Sequence, residues 1–203
     1  MYVWELGRKH PKRSRAELPY TVDHIPVDST GKRTLMHMDP VYLTIHSTAN
    51  LDSDAWGERS YLLNPENTSD TAFHIVVDYK EAIEVVPLDE VAYHCGNLDG
   101  NKITVGIEIC ESGDREKTLQ NAIQVASDFL NAREWTIAKL RRHKDWAIKE
   151  CPRIFTTHQA SPHHTWEWFT NEIKKKLNVE PMYTSTTMTS IDRYSLTLMI
   201  VYF

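Results

Sequence analysis

Three short runs rich in β-branched residues precede two amphipathic stretches in this 203-residue chain. Val41-Tyr42-Leu43-Thr44-Ile45-His46 reads as a buried strand that ends in polar Ser47-Thr48. Phe73-His74-Ile75-Val76-Val77-Asp78 reads as a second. Tyr79-Lys80-Glu81 turns the chain, and Ala82 to Val86 returns as the other arm of a hairpin. Ile103 to Cys110 is a third strand, its apolar residues 103, 105, 107 and 109 alternating with Thr104, Gly106, Glu108 and Cys110. A short helix is expected over Asp54 to Leu63, with Ser53 or Asp54 as N-cap and Asn64-Pro65 as the stop. Leu119 to Leu130 is helical by period, with Ala122, Ile123, Ala126, Phe129 and Leu130 on one face. Trp166 to Leu177 is a further helix, capped by Thr165 and striped by Trp166, Phe169, Ile173 and Leu177. Strands first and long helices after, with crossovers between, predict the α/β class: a central mixed β-sheet flanked by helices.

Composition removes several alternatives. Six Trp, nine Tyr and five Phe supply a core, which excludes long disorder. The longest apolar run, Leu198 to Phe203, is far short of the ~20 residues of a membrane span. Three cysteines argue against a disulfide scaffold, and Cys95 and Cys110 are expected as buried thiols. Seven glycines make a glycine-rich nucleotide loop a poor fit. Residues 1–20 carry Arg8, Lys9, Lys12, Arg13 and Arg15 against Glu5 and Glu17, and read as a solvated basic arm tied to the body by Trp4 and Leu18. The net charge of −5 leaves the remainder acidic, so a nucleic-acid partner is not expected. No apolar signal region stands in the first 20 residues, which predicts a chain made in the cytoplasm. Residues 179–190 have the Ser/Thr-rich composition of a linker, and 191–203 form a short apolar tail that reads either as a remnant of a second domain or as a segment docked on the first, so the main domain is expected over 1–178.

Ten histidines are available for chemistry. His143 and Cys151 lie eight apart in a segment too polar for a core strand. Imidazole and thiolate suit zinc, and a catalytic zinc takes three protein ligands. His46, at the end of an apolar strand, is the best third candidate, although this spacing is not a usual zinc-finger pattern and Cys151 also reads as a small buried hydrophobe. Glu108 is a carboxylate in mid-strand. It reads either as a general base beside a cavity or as a solvent-facing residue on an edge strand.

Five ordered blocks then carry a resemblance. They are Leu43-Thr44-Ile45-His46-Ser47-Thr48; Ala72-Phe73-His74-Ile75-Val76-Val77-Asp78; Val91-Ala92-Tyr93-His94-Cys95-Gly96; Val105-Gly106-Ile107-Glu108-Ile109-Cys110-Glu111; and His143 to Pro152. The chain resembles zinc-dependent N-acetylmuramoyl-L-alanine amidases of type 2, the group that includes phage lysozyme-type amidases and peptidoglycan recognition proteins, and in particular prophage endolysins of Gram-positive hosts. The resemblance implies zinc on His46, His143 and Cys151, with catalytic roles for Glu108 and Lys149 and substrate contacts from His74 and His94. Where family members lack the glutamate, a tyrosine precedes the second-block histidine; Phe73 stands there, consistent with the glutamate form of the site. Trp146-Ala147-Ile148-Lys149 replaces a typical Trp-Ser-Gly-Lys, which predicts a stiffer loop.

The implied reaction is hydrolysis of the amide between N-acetylmuramic acid and L-alanine of peptidoglycan. Zinc would activate water, Glu108 would move the proton and Lys149 would offset the oxyanion. The partner would be peptidoglycan and the enzyme a monomer, held in the host cytoplasm until released to the wall. Three other readings stand beside this one. They are a non-catalytic peptidoglycan-binding module, a zinc peptidase cutting within the stem peptide, and a cysteine nucleophile at Cys151.

Overall fold

The computed structural model describes residues 18–27, 31–156 and 163–178. Among these are six strands and four α-helices, in the order β1 (Tyr20–Val22), β2 (Tyr42–Ser47), α1 (Ala55–Leu63), β3 (Ile75–Val77), β4 (Ala82–Glu84), α2 (Leu98–Asn101), β5 (Thr104–Ile109), α3 (Arg115–Ala132), β6 (Leu140–Arg142) and α4 (Trp166–Lys174). The strands form one sheet in the order β1-β4-β3-β5-β2-β6. Only β3 and β4 pair antiparallel, as the short Tyr79-Lys80-Glu81 turn requires. The other pairs are parallel and need the longer connections that the helices supply.

Strand periodicity divides the molecule into two layers. Leu43 and Ile45 of β2, Ile75 and Val77 of β3, and Val105, Ile107 and Ile109 of β5 project to one face. There they meet Leu119, Ile123, Phe129 and Leu130 of α3, and Phe169 and Ile173 of α4. Each such side chain, fully buried, contributes about 1.5–3 kcal/mol. On the opposite face Val76, Ile83 and Val85 pack under Ala55 and Leu62 of α1. That helix covers the β3–β4 half only. Over β5 and β2 the same face carries Thr44, His46, Gly106 and Glu108, and is left to loops and the short α2. The candidate site residues His46 and Glu108 lie in this gap.

The predicted strands and helices recur with shifted ends. Asp54 caps α1 by accepting from Gly57 N, and Thr165 caps α4 by accepting from Trp168 N. Helix α3 begins four residues before the predicted Leu119, because Asp114 accepts from Lys117 N and starts it earlier. The predicted 73–78 strand shrinks to Ile75–Val77 because both Val85 N and Val86 N bond to His74 O, so the pairing is irregular there. The three-residue edge strands β1 and β6 are too short for an alternation signal. Leu18 packs on the core as expected. Trp4 and the rest of the basic arm through residue 17, and the linker and tail over 179–203, lie outside the described residues.

Candidate metal centre and catalytic cleft

His46 and Glu108 are register partners on the adjacent parallel strands β2 and β5. Strand β5 sits between β3 and β2, which overturns the edge-strand reading of Glu108. Its carboxylate is directed onto the site face, with Oε1 4.0 Å from His46 Nδ1. His143 enters from the turn His143–Asp145 that follows β6, and Cys151 from the end of the same loop. That loop closes on itself through Lys144 N to Cys151 O at 3.0 Å. Trp146 pins it to the sheet by donating from Nε1 to Thr44 Oγ1 at 2.8 Å. Behind it, Ile154 N donates to Ser47 Oγ and Arg153 pairs with the buried Glu111.

The result is one compact donor set. His46 Nδ1 is 3.0 Å from His143 Nδ1 and 3.8 Å from Cys151 Sγ. The donors of His46, His143 and Cys151 all lie within 4.8 Å of one another, and all three residues are buried. Metal–nitrogen bonds of about 2.0–2.1 Å and metal–sulfur bonds of about 2.3 Å give tetrahedral edges of about 3.3–3.6 Å, close to these separations.

Hydrogen bonding fixes which nitrogens carry protons. The Thr104 carbonyl can only accept, so His94 Nε2 donates to it at 3.1 Å. A neutral His94 then accepts at Nδ1, and His46 Nε2 donates to it at 2.9 Å. This leaves His46 Nδ1 with its lone pair turned to His143. There His143 Nδ1 stands 3.0 Å away. Two imidazole nitrogens facing each other at 3.0 Å, beside a thiol, form a donor set that a cation can join. A second sign is that Glu108 Oε2 is buried with no hydrogen-bond partner among the described residues.

Electrostatics agree with that fit. Burial, then the neighbouring histidines and Lys149, hold His46 well below its ordinary value, and burial with Lys149 brings His143 to about 4. Both are therefore neutral at pH 7, as ligation requires. Burial, reinforced by Glu108, pushes the Cys151 thiol up to about 12. Burial and the Glu58 carboxylate push Glu108 up to about 8, against the pull of Lys149. A divalent cation reverses this logic, since it takes the place of the thiol proton and favours the carboxylate.

The set opens onto a cleft of about 640 Å³ whose lining includes His46, His94, Glu108, His143 and Lys149, with Tyr93, Leu98 and Ile148 at its edge. Ile148 stands fully exposed where the resembled loop has glycine, and its backbone avoids the left-handed region, so the substitution is unstrained there. His94 lines the cleft, but His74 does not. His74 is fully buried, accepts from Gly106 N at 2.9 Å and donates to Glu90 O at 2.8 Å. With both ring nitrogens spent on backbone, it ties β5 to the segment before Tyr93 and has no nitrogen left for substrate. His24 and His37 lie elsewhere on the fold, each beside acidic side chains.

Two functional residues were not foreseen. Asn101 accepts from both His94 N and Cys95 N through Oδ1, at 2.9 and 2.7 Å, and so holds that block in place. Gly106 makes room for His94: a Cβ there would stand 2.7 Å from His94 Nδ1. A glycine breaking the alternation of a strand was the available signal for the second. A polar residue at the end of a one-turn helix gave none for the first.

Comparison with known proteins follows the same lines. A family model described as N-acetylmuramoyl-L-alanine amidase matches residues 36–177. The amidase XlyB of Bacillus subtilis (strain 168) is 38% identical over 148 residues, covering 70% of this chain and 44% of XlyB. CwlA of the same organism is 42% identical over 122 residues, covering 57% of this chain and 44% of CwlA. The chain thus spans less than half the length of these curated relatives. Among solved structures, the catalytic domain of XlyA matches with a TM-score of 0.67 and 35% identity, covering 77% of this chain and 99% of that domain. PlyL matches with a TM-score of 0.64 and 30% identity, covering 78% of this chain and 98% of PlyL. By the family model and by the fold that carries its site, the chain belongs to the N-acetylmuramoyl-L-alanine amidase family.

Proposed function

We propose that this chain hydrolyses the amide between N-acetylmuramic acid and L-alanine in bacterial peptidoglycan, with zinc held by His46, His143 and Cys151. The observation that carries the reading is the convergence of two imidazole nitrogens and a thiol next to Glu108, whose Oε2 has no hydrogen-bond partner among the described residues, in an open cleft of this family's fold. Bound there, zinc would supply Lewis acidity, which polarises a carbonyl and lowers the pKa of a water. His94 holds the His46 ring by accepting its Nε2 proton, which keeps Nδ1 aimed at the donor set. Glu108 accepts the water proton and returns it to the leaving amine. Lys149, two residues before Cys151 and lining the same cleft, opposes the charge that develops on the carbonyl oxygen. The protein acts as a monomer on the wall, reaching it from the cytoplasm on release.

The test of the roles is Glu108→Gln. Zinc content measured by elemental analysis should stay at the parent level, while release of stem peptides from peptidoglycan falls by about 10²–10⁴-fold. Parent-level turnover in that variant removes Glu108 as the base.

A further inference from the structure

The donor cluster has a second side. His46 turns Nδ1 to His143 and Cys151, and Nε2 to His94. Behind His94 stands Cys95, with Sγ 3.4 Å from His94 Nδ1. One donor atom from each of His46, His94 and Cys95 lies within 4.8 Å of the other two. These residues are only 1%, 4% and 0% exposed. We propose that His46, His94 and Cys95 form a second metal site, back to back with the first, for a soft, thiophilic d10 cation. Two imidazoles and one thiolate, with no carboxylate in the set, select such an ion over magnesium or calcium.

The seat is built. Asn101 holds the backbone of both His94 and Cys95 through one oxygen. The Thr104 carbonyl and the missing side chain of Gly106 fix the His94 ring, so that Nδ1 faces His46. The two separations from His94 Nδ1, 2.9 and 3.4 Å, open by a few tenths of an ångström to reach tetrahedral edges of about 3.3–3.6 Å, and the His46 and Cys95 donors lie within 4.8 Å of each other. His94 and His46 both line the cleft, which gives an ion its way in.

The two seats compete, because a neutral imidazole offers one lone pair. A cation on His46 Nε2 replaces the proton shared with His94. That proton moves to Nδ1, and the Cys95 thiol releases its own to solvent. His46 is then lost to the outer set, so the inner site is inhibitory. The inner site itself stands on donor geometry, whereas its inhibitory effect rests on the zinc reading of the outer set.

Cadmium titration of the full chain tests it, followed through the ultraviolet thiolate-to-cadmium band. In Cys151→Ser the outer thiolate is absent, yet the band should still rise and saturate. Adding Cys95→Ala should abolish it. A folded Cys151→Ser variant with no band, or a band that survives the double substitution, overturns the site. A second arm needs no change to the outer ligands. Cadmium should displace zinc from the zinc-loaded parent at several-fold lower concentration than from zinc-loaded Cys95→Ala, with zinc release read by a chromogenic chelator. Equal displacement from both overturns the competition.

Discussion

At the scale of single residues, the donor set depends on proton positions handed on from one polar group to the next. Thr104 O fixes His94, His94 fixes His46, and His46 presents Nδ1 to the donor set. Gly106 is the weak point of that relay, because its Cα is where the His94 ring rests. Gly106→Ala should shift the ring, cost about 1–3 kcal/mol of stability and weaken zinc affinity about 10–100-fold. Thermal denaturation and a zinc competition titration would show both effects; an unchanged melting temperature and unchanged affinity would refute the relay. The candidate ligand types were legible in the sequence because few residues besides His and Cys suit a metal such as zinc. His46 and Cys151 are 105 positions apart, however, and only the β2–β5–β6 pairing brings them together. His74 illustrates the limit of the same reasoning. Its block was recognisable, but whether a histidine faces a cleft or a backbone depends on strand irregularity that local composition does not encode.

At the scale of elements, the blocks that form the cleft are clipped from outside. Arg33 donates to both carboxylate oxygens of Glu90, from Nε at 2.9 Å and Nη2 at 2.6 Å, and a third donor bonds Ile25 O. Leu35 N also reaches Glu90 Oε1, while Glu90 O receives His74. Burial alone would raise the Glu90 carboxyl, but the Arg33 guanidinium and the backbone donors outweigh it and hold it below its ordinary value. A depressed carboxylate contributes stability that is full above the unfolded-state value of about 4.3 and drains away as pH falls through the folded value. Glu90→Gln should therefore cost about 3 kcal/mol at pH 7, and much less at pH 3, in urea denaturation. A cost that is the same at both pH values would show that the ion pair is not its source. Long elements were legible here and short ones were not. Helix α3 carries an apolar stripe over most of its eighteen residues, whereas β1 and β6 are held by pairing rather than by pattern.

At the scale of the whole molecule, one sheet does two tasks. Its α3–α4 face is a closed apolar core, and half of its other face is filled by α1. The remaining half, over β2 and β5, is where parallel strands place a histidine and a glutamate side by side and where the His143–Cys151 loop can close over them. Alternation in Ile103–Cys110 already separated these faces in the sequence. What it could not tell was that the polar side looks into a cleft, because β5 becomes a central strand only through long-range pairing. If the donor set in this gap holds the catalytic metal, cleavage falls at the first amide of the stem peptide and depends on that metal. The most direct measurement is mass spectrometry of the soluble products released from purified peptidoglycan, with and without a chelator. The account predicts free stem peptides that begin at L-alanine, lost on chelation and restored by zinc. Products cut at any other bond, or the same products undiminished after zinc has been removed, would contradict it.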